Sequence, residues 1–302
     1  MFGSSGRWMC ALVVAVASSV TGSGAAAAEP APGKALVVLG DSFSANAWDF
    51  LSEEVQCVHR PTSWPNQLSR LLRVAGTPEF VDASCPGASI GVGRGYSLGG
   101  EAKVADQAGA FGPRTELVTI QIGMNDIWGA NETTLWKSLQ LCVFDMLRGC
   151  DIDAVEQARI PDYRGVTGAA YAERVRNVVT YIKYYAPQAR IVLVGYSELI
   201  PPGSDTVCLN VFGVAPFVQP RARALAEYFD ALDRAQRDAA GILGIDFFDS
   251  RALTAGHGLC SAEPWMNGLA DPRADLDGLP FHPSAEGDAV MARGLYDRYG
   301  HR

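Results

Sequence analysis

The run ALVVLG (35–40) carries no polar side chain and no alternation of polar with apolar residues. A strand of that kind is at home only where both of its faces are covered, which is the situation inside a parallel sheet. LVTIQIG (117–123) and RIVLVGY (190–196) are two further strand-forming runs, and EFVDA (79–83) and IDFFD (245–249) bring the set to five. Between them the spacing turns helical. WPNQLSRLLRVAG (64–76) repeats apolar residues at Trp64, Leu68, Leu71 and Leu72 and stops at Gly76. The segments 132–149, 168–187, 219–244 and 283–299 read as helices, the last with Pro283 near its first turn. Strands alternating with helices predict one three-layer α/β/α domain around a five-stranded parallel sheet, with the flavodoxin-like strand order 2-1-3-4-5.

The first residues read differently. Arg7 precedes the apolar run WMCALVVAVASSV (8–20), and Ala26 and Ala28 stand in A-x-A spacing, the pattern of a secretory signal peptide. The apolar run is too short for a comfortable membrane span. The expected organisation is a signal peptide over 1–28, a Pro/Gly linker over 29–35 and the folded domain over 36–302, exported without a stable membrane anchor. Six cysteines lie beyond the signal, at 57, 85, 142, 150, 208 and 260. An even number in an exported chain predicts three disulfides. Sequential pairing is the simplest of the possible arrangements, and the sequence alone does not choose among them. A formal net charge of −8 argues against nucleic acid as a partner.

In parallel α/β sheets ligands bind beyond the carboxyl ends of the strands, so the residues after each apolar run carry the information. Gly40-Asp41-Ser42 follows the first run and SCPGAS (84–89) the second. Gly123-Met124-Asn125-Asp126 follows the third, Ser197 and Glu198 the fourth, and FHPS (281–284) precedes the last helix. Gly-Asp-Ser alone is ordinary turn chemistry. Together with Gly87, Asn125 and His282 it is the outfit of acyl transfer. Such a reaction needs a nucleophile, a base beside it and neutral donors for the tetrahedral oxyanion.

On these four blocks the chain resembles the SGNH/GDSL hydrolases, over about residues 36–298, with GDSF where the family usually has GDSL. The Leu-to-Phe exchange at Phe43 is apolar and is expected to affect packing, not chemistry. Among the family the chain looks most like secreted bacterial esterases and lipases. The resemblance implies Ser42 as nucleophile and His282 as base. It implies an oxyanion hole from the Ser42 and Gly87 backbone amides and the Asn125 side chain. It also implies the pairs Cys57–Cys85, Cys142–Cys150 and Cys208–Cys260. The expected reaction is hydrolysis of lipid-type or short-chain carboxylic esters through an acyl-enzyme, by a monomer without cofactor or metal. A carbohydrate-acetyl esterase or a phospholipase would use the same machinery, and a non-catalytic binding protein would keep the pocket without needing the nucleophile.

One position departs from the family. Where it usually has an Asp three residues before the His, this chain has Leu279. The imidazole is then oriented by a backbone carbonyl, such as that of Leu279, or by Asp277, with Asp275 as a more distant candidate. Asp41 and Asp126 read as scaffolding for the turns that carry Ser42 and Asn125, and Glu198 as a solvated loop acid. The stretch GASIGVGRGYSLGG (87–100) fails the G-x-G-x-x-G pattern, so it reads as a flexible loop near the oxyanion hole. His59, His257 and His301 have no partners at metal-ligand spacing. The long connections 197–220 and 250–282 are rich in Leu, Val, Phe and Trp, and predict an apolar acyl pocket tied together by Cys208–Cys260 beside His282.

Overall fold

The apolar runs become a parallel sheet in a computed structural model, which describes residues 32–48, 57–91 and 96–301. The proposed signal peptide lies outside the described residues. The strands are β1 (Leu36–Gly40), β2 (Phe80–Asp82), β3 (Leu117–Gln121), β4 (Arg190–Val194) and, after a separate hairpin of β5 (Val207–Val211) and β6 (Ala215–Gln219), β7 (Asp246–Phe248). Their order in the sheet is β2-β1-β3-β4-β7, all parallel, which is the expected 2-1-3-4-5 arrangement. All five residues of β1 and of β3 are buried, as a strand covered on both faces must be.

Helices cover the two faces. α1 (Ser42–Ala45) directly follows β1, α2 (Trp64–Leu71) carries Trp64 and Leu68 into the core, and α3 (Leu98–Gln107) starts on a Ser97 cap. After the short α4 (Leu135–Ser138) and α5 (Asp153–Glu156) come the long α6 (Gly168–Tyr185) and α7 (Arg223–Leu243). α8 (Ser250–Leu253) and α9 (Ala285–Tyr299) close the chain. One cluster of buried side chains gathers Val37, Leu39, Ile120 and Tyr171, and a second gathers Leu36, Val38, Val192 and Met291. Alternate residues of β1 thus feed opposite layers.

Two expectations fail for identifiable reasons. The helix expected over 132–149 is only α4 followed by a π-helical turn at Leu139–Val143. The buried Gln219 amide of β6 donates to the carbonyls of Val143, at 3.0 Å, and Asp145, at 3.2 Å, and Cys142 folds back to bridge Cys150, so the segment turns instead of running on. The helix expected from residue 219 starts at Arg223, because Gln219 belongs to β6. The connection 197–220 is also not a plain loop, since it contains the antiparallel β5–β6 hairpin. The structure forms Cys57–Cys85, Cys142–Cys150 and Cys208–Cys260, in sequence order.

Candidate active site

β1 ends at Gly40, and it needs a glycine there. A side chain at that position would meet Ser44 Oγ and the Gln121 carbonyl within 2.7 Å. Asp41 then caps α1, its Oδ1 accepting from the Phe43 amide at 2.9 Å. Its other oxygen accepts from the Tyr196 hydroxyl, which itself accepts from the Met124 amide at 3.1 Å. Asp41 is fully buried, and burial pushes its pKa up to about 7 against the pull of these two donors. The acid is therefore spent on tying the ends of β1, β3 and β4 together. Ser42 is the first residue of the helix so capped.

His282 arrives from the far end of the chain, on a strap held by Asn267. The Asn267 amide donates to the His282 carbonyl at 2.8 Å, and its Nδ2 to the Pro283 carbonyl at 3.0 Å. Asn46 Nδ2 also reaches the Pro283 carbonyl at 2.8 Å, which pins the strap to the end of α1. The result places His282 Nε2 at 2.7 Å from Ser42 Oγ. On the other side of the ring, Nδ1 lies 2.9 Å from the Pro280 carbonyl. A carbonyl can only accept, so Nδ1 carries the proton and Nε2 is left free to accept from the serine hydroxyl. The orienting carbonyl is thus that of Pro280 and not that of Leu279. The Leu279 carbonyl is engaged by the His282 amide at 3.2 Å, and Phe281 adopts φ +65°, which turns the next carbonyl toward the ring. Asp277 does not reach the histidine, because its side chain is 90 % exposed and pairs with Arg60 at 3.1 Å. Asp275 faces Arg60 as well and caps Ala285 at 2.7 Å.

Two aromatic rings close over the imidazole. Phe43 lies with its centroid 4.6 Å from that of His282, and Trp136 stacks nearly parallel to it at 5.7 Å. Burial lowers the His282 pKa to about 4, against a smaller opposing contribution from the Pro280 hydrogen bond. The exchange at Phe43 therefore touches the candidate base, which the sequence reading limited to packing.

Three donors are expected to form the oxyanion hole. The Ser42 and Gly87 amides donate no hydrogen bond among the described residues. Gly87 sits at φ +77°, and a side chain there would meet only the Trp48 ring at an ordinary contact distance of 3.9 Å, so backbone conformation and not crowding demands glycine there. The Cys57–Cys85 bridge ties the loop two residues before it. Asn125 Nδ2 donates to the Ala88 carbonyl at 2.8 Å, and its Oδ1 accepts from the Trp136 indole N–H. One Nδ2 hydrogen remains for a ligand. Asp126 accepts from the Ile90 amide at 2.8 Å and faces Arg174 at 3.4 Å, and burial raises its pKa to about 6. It holds the 88–91 loop against β3. Glu198 is buried rather than solvated, and accepts from the Gly256 amide at 2.9 Å.

Sequence reasoning missed Trp136, Tyr196 and Glu101. Glu101 is buried under the nucleophile turn and accepts from the Gly40 amide at 2.8 Å. Tyr196 follows β4 directly, at a strand end, and could have been found there. Glu101 and Trp136 lie on helices with no motif around them.

Residues 38–290 match the profile of the GDSL-like lipase/acylhydrolase family. The chain is 27 % identical to Lipase 1 of Streptomyces coelicolor over 286 residues, covering 93 % of each chain. It is 29 % identical to an esterase of Streptomyces scabiei over 321 residues, covering 94 % of this chain and 90 % of that one. Its fold is that of the extracellular lipase of Streptomyces rimosus, with a TM-score of 0.59 at 22 % identity, covering 87 % of this chain and 99 % of that one. Phospholipase A1 of Streptomyces albidoflavus is equally similar in fold, with a TM-score of 0.59 at 20 % identity and coverage of 88 % and 99 %. With the profile spanning most of its length, and with relatives that are themselves lipases and esterases, the chain belongs to the GDSL-like lipase/acylhydrolase family and is a carboxylic ester hydrolase.

Proposed function

We propose that the protein is a secreted serine hydrolase of lipid-type or short-chain carboxylic esters, working through a Ser42–His282 dyad. The observation that carries this reading is the 2.7 Å contact between Ser42 Oγ and an imidazole whose other nitrogen is committed to a carbonyl. Ser42 Oγ attacks the ester carbonyl carbon while Nε2 takes its proton. The carbonyl oxygen becomes an oxyanion, met by the Ser42 and Gly87 amides and the free Asn125 Nδ2 hydrogen. Collapse of the intermediate breaks the bond to the alcohol, which leaves with the proton from Nε2. Water then repeats the sequence on the acyl-enzyme and releases the acid. The Pro280 carbonyl fixes the tautomer without adding a negative charge beside the imidazolium.

Export rests on the signal-peptide pattern of residues 1–28 and on the three disulfides, which suit an oxidising compartment. No helix among the described residues is long and apolar enough to cross a membrane. Replacing Ser42 by Ala is expected to remove hydrolysis of p-nitrophenyl butyrate by a factor of roughly 10³ or more while the circular dichroism spectrum stays native. Retained turnover would refute the dyad.

A further inference from the structure

Trp136 makes three contacts that no other side chain of the site combines. Its N–H meets Asn125 Oδ1, its face stacks on His282, and it lines an apolar cavity. Every side chain lining that cavity is apolar, and its free space, open mouth included, is about 390 Å³. Trp136, stacked on His282, and Phe281, the residue before the candidate base, both line it. Leu225 of α7 forms one wall. Val143, Val207 and Leu259 form others, and each is the chain neighbour of a bridged cysteine, at 142, 208 and 260.

The contact to Asn125 has a chemical consequence. An amide side chain presents an oxygen and an NH₂ of nearly equal shape, so its orientation has to be enforced from outside. The Ala88 carbonyl accepts from one end and the Trp136 N–H donates to the other. These two bonds leave the second Nδ2 hydrogen aimed away from both. An indole can perform this task because it donates and never accepts.

We propose that Trp136 is a positioning and specificity residue. Its N–H holds the Asn125 amide in the orientation that meets the oxyanion, and its ring, stacked on His282, lines the apolar slot that takes the aliphatic acyl chain of the ester. This rests on the hydrolase reading above and adds to it a substrate class and a determinant. Chain-length selection and oxyanion stabilisation then share one side chain, so changes at Trp136 affect both.

The test is steady-state kinetics on p-nitrophenyl esters from acetate to laurate. Trp136→Phe keeps an aromatic ring at that position and loses the N–H together with part of the indole surface. The expected result is a fall in kcat of about tenfold at every chain length, with KM within twofold, because the lost interaction is made in the transition state alone. Leu225→Trp fills the slot and is expected to lower the octanoate-to-acetate ratio of kcat/KM at least tenfold. Leu259→Phe, nearer the surface, is expected to lower the same ratio and serves if Leu225→Trp does not fold. An unchanged kcat in Trp136→Phe, or a change confined to KM, overturns the positioning role. An unmoved length profile in the slot variants overturns the acyl site. Ser42→Ala run beside them separates the two levels: if it stays active the hydrolase reading falls and the proposal with it, whereas an inactive Ser42→Ala with an indifferent Trp136→Phe overturns the proposal alone.

Discussion

His282 is held by four groups of different kinds: a serine hydroxyl, a proline carbonyl and two aromatic rings. The rings exclude water, and that exclusion is what moves its pKa down to about 4. A base that stays neutral down to that pH keeps its lone pair well below the usual histidine range. The acid limb of kcat/KM against pH is therefore expected near pH 4 rather than near 6.5. Phe43→Leu, which replaces a ring by a smaller side chain, lets water closer to the imidazole and should move that limb upward. A limb that stays in place would mean Phe43 contributes nothing to the desolvation. Ser42 and Asn125 were legible because the strand-end rule needs only the apolar runs, which are local. Trp136 was not, since an indole on a short helix acquires its role only when 125, 136 and 282 meet in space. The choice of Pro280 over Leu279 was equally hidden, because it depends on one positive φ at Phe281.

Among the elements, the sheet was readable and the covering segments were less so. β1 and β3 are buried on both faces, so sequence and environment agree there residue by residue. The 132–149 segment has helical spacing, yet its carbonyls at Val143 and Asp145 are bound by Gln219, which lies some seventy residues away in β6. No window of local periodicity contains that information. The β5–β6 hairpin is tied to the strap of His282 by the Cys208–Cys260 bridge and by main-chain bonds between Asn210 and Leu269, at 2.8 Å, and Phe212 and Leu269, at 2.9 Å. Replacing Cys208 and Cys260 together by Ser removes a covalent constraint of roughly 2–4 kcal/mol. The melting temperature is expected to fall by several degrees, and turnover to fall more steeply with temperature than in the wild type. An unchanged melting curve would show that the main-chain bonds suffice.

For the whole molecule, the unusual property is a set of buried acids in an acidic chain of net charge −8. Asp41 and Asp126 are pushed up to about 7 and about 6, and Glu101 and Asp288 well above the carboxylate range, in each case chiefly by burial. Such groups bind protons more tightly folded than unfolded, so stability falls as pH rises from the unfolded value near 4 through the folded value. His282 acts in the opposite sense, but only between about 4 and 6.5. From about pH 6.5 to about pH 7 Asp41, Glu101 and Asp288 act without opposition from His282. Calorimetry should therefore show a melting temperature that declines across that interval, and a flat or rising curve would contradict the buried protonated state. The hairpin has a further consequence at this scale. It forms a two-stranded sheet of its own, sharing no ladder with the five strands that carry Ser42 and Asn125. A change within β5 or β6 therefore breaks no main-chain ladder of the sheet whose strand ends carry Ser42 and Asn125.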